Sequence, residues 1–98
     1  MEAYTGVGAN SKVGDFTSIL THSAIAHDVT IGRFVQISPY VAVLGGVELG
    51  DGVTVGTHAV ILPRLKVGAG AVIGAGSVVI KDVPAGTTVF GVPARQIQ

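Results

Sequence analysis

Val, Ile or Leu occupies every sixth position of one long run: Val7, Val13, Ile19, Ile25, Ile31, Ile37, Val43, Leu49, Val55, Ile61, Val67, Ile73 and Val79. A second column runs two residues ahead of it: Thr5, Ser11, Thr17, Ser23, Val29, Val35, Val41, Val47, Val53, Ala59, Leu65, Ala71 and Ser77. That column is small or β-branched except at Leu65. A period of six does not match a helical turn, and so many β-branched side chains favour strands. Residues two apart on a strand share one face. Each hexad therefore predicts a very short strand with two inward residues, then a turn. Gly8, Gly14, Gly32, Gly50, Gly56, Gly68 and Gly74 directly follow an inward residue, as a bend needing a positive φ or a bare Cα demands. Stacked hexads of this kind form a parallel β-helix.

Several columns also repeat at eighteen, which is three hexads: Gly14, Gly32, Gly50 and Gly68 make one series, Phe16 and Phe34 another. The expected fold is all-β, a single-stranded parallel β-helix shaped as a triangular prism of about four coils, a stub of roughly 20 Å at the usual strand spacing. The period does not fix its hand, and ordinary crossovers are right-handed. After Val79 the next sixth positions are Ala85 and Gly91, and the tail carries Pro84 and Pro93. It reads as a cap or arm over an open end. The division expected is a hexapeptide-repeat β-helix over 1–84 and a C-terminal cap over 85–98.

Ninety-eight residues make one domain, small enough to gain from assembly. Six basic and six acidic side chains cancel, which removes the electrostatic footprint expected of a nucleic-acid or anionic-membrane partner. The absence of cysteine rules out a disulfide framework and thiolate metal sites, and fits a cytoplasmic protein. The N-terminus lacks the basic start and apolar core of a signal peptide. The longest apolar-rich stretch, Phe34 to Val47, is too short to span a bilayer and is broken by Pro and Gly.

Stacking by eighteen places His27, Gly45, Pro63 and Lys81 on one vertical line at a turn, and Gly45 leaves the wall bare beside His27. Thr21, Pro39, Thr57, Ala75 and Pro93 share another corner line, and His22, Tyr40 and His58 a third. The flat outer faces need company, which favours oligomers, and a threefold ring would form clefts walled by different corners of two chains. His27 followed by Asp28 is the pair with chemical promise. Imidazole exchanges protons near neutrality and can take one from an amine or alcohol, and a carboxylate on its other nitrogen fixes the tautomer. The plain alternative is that both are polar turn residues. His58 reads as structural and Tyr40 as a packing aromatic.

The hexads resemble the left-handed β-helix acyltransferases. The stretch from Ile25 to Arg95, with "HD" at His27-Asp28, "ISP" at Ile37 to Pro39 and the closing "DVPAGTTVFGVPAR", resembles the coil domain of sialic-acid-type O-acetyltransferases and sugar-nucleotide 4-amine N-acetyltransferases. The resemblance implies a left-handed coil and a homotrimer with acetyl-CoA in the cleft between chains. It implies His27 as the general base and Asp28 as the residue that tunes it. Contacts to acetyl-CoA fall on Gly45, Thr57 and Ala75, with Gly91, Pro93 and Arg95 of the tail nearby. Lys81 and Arg95 are candidate cations for its phosphates. Many members have His where this chain has Gln36, which can still donate a hydrogen bond to the acetyl group but cannot titrate. Larger members add a nucleotide-sugar-binding α/β domain, so a minimal or differently built acceptor pocket is expected in these residues. No metal is expected.

The resemblance implies acetyl transfer to an amine or hydroxyl of a small molecule, a sugar or sugar nucleotide, and the residues favour direct attack, since no Cys exists and no Ser-His pair is evident as a nucleophile. Two other readings stay open. "THSAIAH", Thr21 to His27, resembles the His-x4-His of γ-carbonic anhydrases, a metal-dependent hydratase class, although a catalytic zinc normally takes three protein ligands. A non-catalytic β-helix scaffold is the other.

Overall fold

The computed structural model describes residues 6–97. Thr5, first of the second column, lies outside the described residues. The first coil carries β1 (Gly6–Val7), β2 (Lys12–Val13) and β3 (Ser18–Ile19). The second carries β4 (Ala24–Ile25), β5 (Thr30–Ile31) and β6 (Gln36–Ile37), and the third β7 (Ala42–Val43), β8 (Glu48–Leu49) and β9 (Thr54–Val55). The fourth carries β10 (Val60–Ile61), β11 (Lys66–Val67) and β12 (Val72–Ile73). Last come β13 (Val78–Val79), β14 (Thr88–Phe90) and β15 (Arg95–Gln96).

Strands eighteen residues apart pair in parallel, Ala24 with Ala42, Thr30 with Glu48 and Gln36 with Thr54. Three walls result. Wall A stacks β1, β4, β7, β10 and β13; wall B stacks β2, β5, β8 and β11; wall C stacks β3, β6, β9, β12 and β14, with β15 added antiparallel. The chain is a left-handed parallel β-helix of triangular section. It measures 32 × 21 × 20 Å, longer than the roughly 20 Å that four coils predict; Val78 to Gln96 add most of a fifth turn, about 5 Å of that difference.

Both predicted columns fill the interior, and from Ile19 to Val79 the first column is buried throughout. Val7 and Val13 stay 36% and 41% exposed, with no described coil beneath them. Where the second column is Ser or Thr, the hydroxyl replaces lost apolar contact with hydrogen bonds across coils. Ser23 Oγ donates to Ser38 O at 2.7 Å and accepts from Val41 N at 3.1 Å; Thr17 Oγ1 does the same for Gly32 O and Val35 N. A buried hydroxyl with both roles used avoids the desolvation cost of an unpaired polar group.

The turn chemistry separates the two roles the sequence left joined. Left-handed φ values fall on the third residue after each inward one from Val7 to Ile73, among them eight non-glycine residues at 58° to 64°. The glycines that directly follow the inward residue have ordinary φ and answer the other demand. A Cβ on Gly14 would lie 2.5 Å from Gly32 O, and one on Gly50 2.6 Å from Ala69 N, so the coils could not approach.

The walls differ outside. Residues flanking an inward position point outward by strand alternation. On wall A these are Ala24, Ala42, Val60 and Val78, with Ala26, Leu44, Leu62 and Ile80 beside them. Wall B shows Lys12, Thr30, Glu48 and Lys66; wall C shows Ser18, Gln36, Thr54 and Val72. Among the described residues no helix is long and apolar enough to cross a membrane.

Candidate active site

The corner between walls A and B turns at His27-Asp28, Gly45-Gly46 and Pro63-Arg64 on successive coils. Carbonyl-to-amide bonds stack it: Gly46 N donates to His27 O at 3.1 Å, and Arg64 N to Gly45 O at 2.8 Å. Asp28 takes the left-handed position at φ 59°, one of the few roles an aspartate fills readily there. This conformation swings its carboxylate back to the preceding ring, where His27 Nδ1–H donates to Asp28 Oδ2 at 2.9 Å. The bond assigns the proton to Nδ1 and leaves Nε2 as the free acceptor. Both side chains are open to solvent, 71% and 58% exposed.

Gly45 shapes the other side of the ring. A Cβ there would stand 3.0 Å from both His27 Cε1 and Nε2, so the imidazole lies against a bare stretch of main chain. Gly46 continues the bare floor at φ 75°. The result is a cavity of about 310 Å³ lined by His27, Asp28, Gly45, Gly46, Pro63 and Arg64. A base with an oriented ring and an unblocked nitrogen, facing a glycine-floored slot, can take a proton from an amine or alcohol held there.

The remaining sequence candidates fall in three places. Gln36 projects from wall C on β6. Thr57 and Ala75 lie on the corner between walls C and A, one coil apart, where Gly76 N donates to Thr57 O at 2.8 Å. Thr57 Oγ1 donates to Pro39 O at 2.6 Å. In the tail, Gly91 N donates to Ser77 Oγ at 3.1 Å and Gly91 O accepts from Val78 N at 3.0 Å; Pro93 follows on the surface, after a cis bond from Val92. Lys81 and Arg95 share a second cavity of about 580 Å³ at the C-terminal end. One prism thus unites His27, Asp28 and Gly45, and separately Lys81 and Arg95, while Thr57 and Ala75 stand at the opposite edge of wall A.

Arg64 also lines this cavity, though no motif in the sequence marks it. The eighteen-residue stacking that put Gly45 beside His27 also puts Arg64 above Gly46 and Asp28, so carrying the same count one column further finds it. His22 and His27 occupy different corners, and among the described residues no three His, Cys, Asp or Glu side chains group to hold a metal ion. His22 instead stacks on Tyr40, and Tyr40 on His58, with centroids 4.9 and 5.1 Å apart.

The model of the bacterial transferase hexapeptide family, six repeats, matches residues 28–63 and 46–81. No curated protein matches significantly. Among solved structures, PerB from Caulobacter crescentus, in complex with CoA and GDP-perosamine, is 33% identical, with a TM-score of 0.97 over 98% of this chain and 46% of PerB. A histidine-to-alanine mutant of GDP-perosamine N-acetyltransferase from the same organism, also in complex with CoA and GDP-perosamine, is 32% identical at a TM-score of 0.97, over 98% of this chain and 46% of that one. The acetyltransferase domain of PglB from Neisseria gonorrhoeae, in complex with acetyl-CoA, is 26% identical at a TM-score of 0.85, over 97% of this chain and 55% of that one. The chain therefore spans about half the length of the solved structures it matches.

Proposed function

We propose, for a chain that belongs to the bacterial transferase hexapeptide family, transfer of an acetyl group from acetyl-CoA to an amine of a small acceptor, a sugar or sugar nucleotide. The observation that carries this reading is the oriented ring: His27 Nε2 stands free over the bare Gly45 floor while Nδ1–H is held by Asp28. The solved neighbours that hold CoA or acetyl-CoA add support, two of them with an amino-sugar nucleotide.

The residues fit such a co-substrate. A pantetheine arm needs a narrow slot with few side chains, and Gly45 leaves one beside the His27 ring that a Cβ would narrow. Bound acetyl-CoA supplies an electrophilic thioester carbonyl. His27 Nε2 accepts the proton of the acceptor amine as its nitrogen attacks that carbonyl. The new C–N bond forms as the C–S bond breaks, and the imidazolium returns a proton to the departing thiolate sulfur. Asp28 stabilises the imidazolium without taking its proton.

Assembly completes the site in this reading. The apolar exterior of wall A would be covered in a homotrimer, which brings the corner bearing Thr57 and Ala75 of one chain against the His27 corner of the next. Gln36 and the tail residues Gly91, Pro93 and Arg95 would then border the same cleft, with Lys81 and Arg95 toward the CoA phosphates.

Release of free thiol from acetyl-CoA, measured across amino-sugar nucleotides, tests the proposal. The chain is expected to release CoA with at least one of them, and His27→Ala to lose about a hundredfold to ten-thousandfold in turnover while still binding CoA. Turnover unchanged in His27→Ala, or no release with any amine acceptor, would overturn it.

A further inference from the structure

We propose that Arg64 reads an anionic group of the acceptor, a phosphate or carboxylate carried about one sugar ring away from the reacting amine. The inference rests on the acetyl-transfer reading and adds the acceptor's charge to it.

Arg64 is the cation lining the His27 cavity. Its Cγ lies 3.0 Å from where a Cβ on Gly46 would stand, so the stem crosses the bare floor one coil above His27. Among the described residues its guanidinium has no ion-pair partner, and Asp28, the acid that lines the same cavity, is engaged with His27 Nδ1. Arg33, by contrast, sits over the Phe34 ring, 5.4 Å from its centroid. A planar fork of donors at the edge of a slot, with its stem already laid against the wall, suits bidentate capture of phosphate or carboxylate.

The stacking sets the scale. Two coils separate His27 from the backbone of Arg64, and the Arg64 stem lies against Gly46 one coil nearer, which brackets the gap at roughly 5 to 10 Å at the usual strand spacing. The α-carboxylate of an amino acid lies too close to its amine to reach both. An amine and an anion on opposite sides of a pyranose span the gap. The phosphates of CoA lie at the far end of the pantetheine arm, beyond this distance from the reacting carbonyl.

The test compares Arg64→Ala and Arg64→Lys with the parent chain on three acceptors sharing one amino sugar: its nucleoside diphosphate, its uronic acid, and the neutral free sugar. Arg64→Ala is expected to raise KM for an anionic acceptor about tenfold or more, with kcat and the KM for acetyl-CoA little changed. Arg64→Lys should recover part of the loss, and the neutral sugar should not respond. Whichever anionic acceptor responds identifies the source of the charge. Equal losses on charged and neutral acceptors, no loss on any, or a rise confined to acetyl-CoA would overturn the role of Arg64. Binding of inorganic pyrophosphate and of glucuronate, followed without acetyl-CoA, separates the two readings. An Arg64-dependent affinity in a chain that transfers no acetyl group keeps the anion site and removes the reaction.

Discussion

Two corners flank wall B, and one backbone builds both. At the corner between walls B and C, the left-handed positions of the first two coils hold Phe16 and Phe34, stacked with centroids 5.2 Å apart, and Arg33 lies over the second ring. At the corner between walls A and B, the equivalent positions hold Asp28, Gly46 and Arg64. The spacing, the φ angle and the amide ladder are the same. In those two coils the first corner is filled with rings that satisfy each other and Arg33 is occupied, while Gly52 and Gly70 hold the same positions in the next two coils. The other skips a step at Gly45-Gly46, and the skipped step is the cavity beside His27. The difference teaches that the repeat supplies positions, and that an empty one becomes a candidate site where a side chain such as His27 stands beside it.

Filling that step gives the largest expected effect. Gly45 does not use the left-handed region, so its backbone accepts a side chain without strain, and only the ring 3.0 Å away objects. Gly45→Val should therefore fold normally and displace His27. A misplacement near 1 Å costs about a hundredfold in rate, and a loss of that size with an unchanged thermal midpoint is the expected result. Turnover equal to the parent's would show that the empty step has no part in the chemistry.

Asp28→Asn tests the next level, the orientation of the ring rather than its place. Asn10 sits in the same column at φ 61°, so an asparagine fits the turn. Its amide can donate to Nδ1, which favours the tautomer with the proton on Nε2 and blocks the acceptor nitrogen. The expected loss is about tenfold to a hundredfold in kcat with CoA affinity retained, measured by steady-state rates beside binding. An equal rate would reduce Asp28 to a turn former.

The coil itself was legible because side-chain direction on a strand has period two and coil closure needs three hexads, so Val29, Ile31 and their repeats could point nowhere else. The pairing of His27 with Gly45 followed from the same count. Two things were not legible. A glycine directly after an inward residue carries no mark of whether it serves conformation or contact, and only the 2.5 Å approach of Gly32 O to a Cβ on Gly14 decides for contact. Arg64 gave no motif. A lone arginine in a turn reads as a solvated charge until the empty step below it gives the guanidinium something to face.

The smallest effect is expected at the filled corner. Phe16 is 73% exposed and stacks on Phe34 at an interplanar angle of 11°. Phe16→Gly removes one ring contact, and glycine adopts its φ of 60° without penalty. A stacked pair contributes about 0.5 to 1.5 kcal/mol, and relief of the left-handed phenylalanine offsets part of that. The unfolding free energy from denaturant titration should fall slightly, by about 1 kcal/mol or less, with turnover per folded chain unchanged. This corner does not border wall A, so its rings serve the stack alone. A rate loss as large as that of Gly45→Val would mean that the two corners share one function, and the division drawn between a filled step and an empty one would fail.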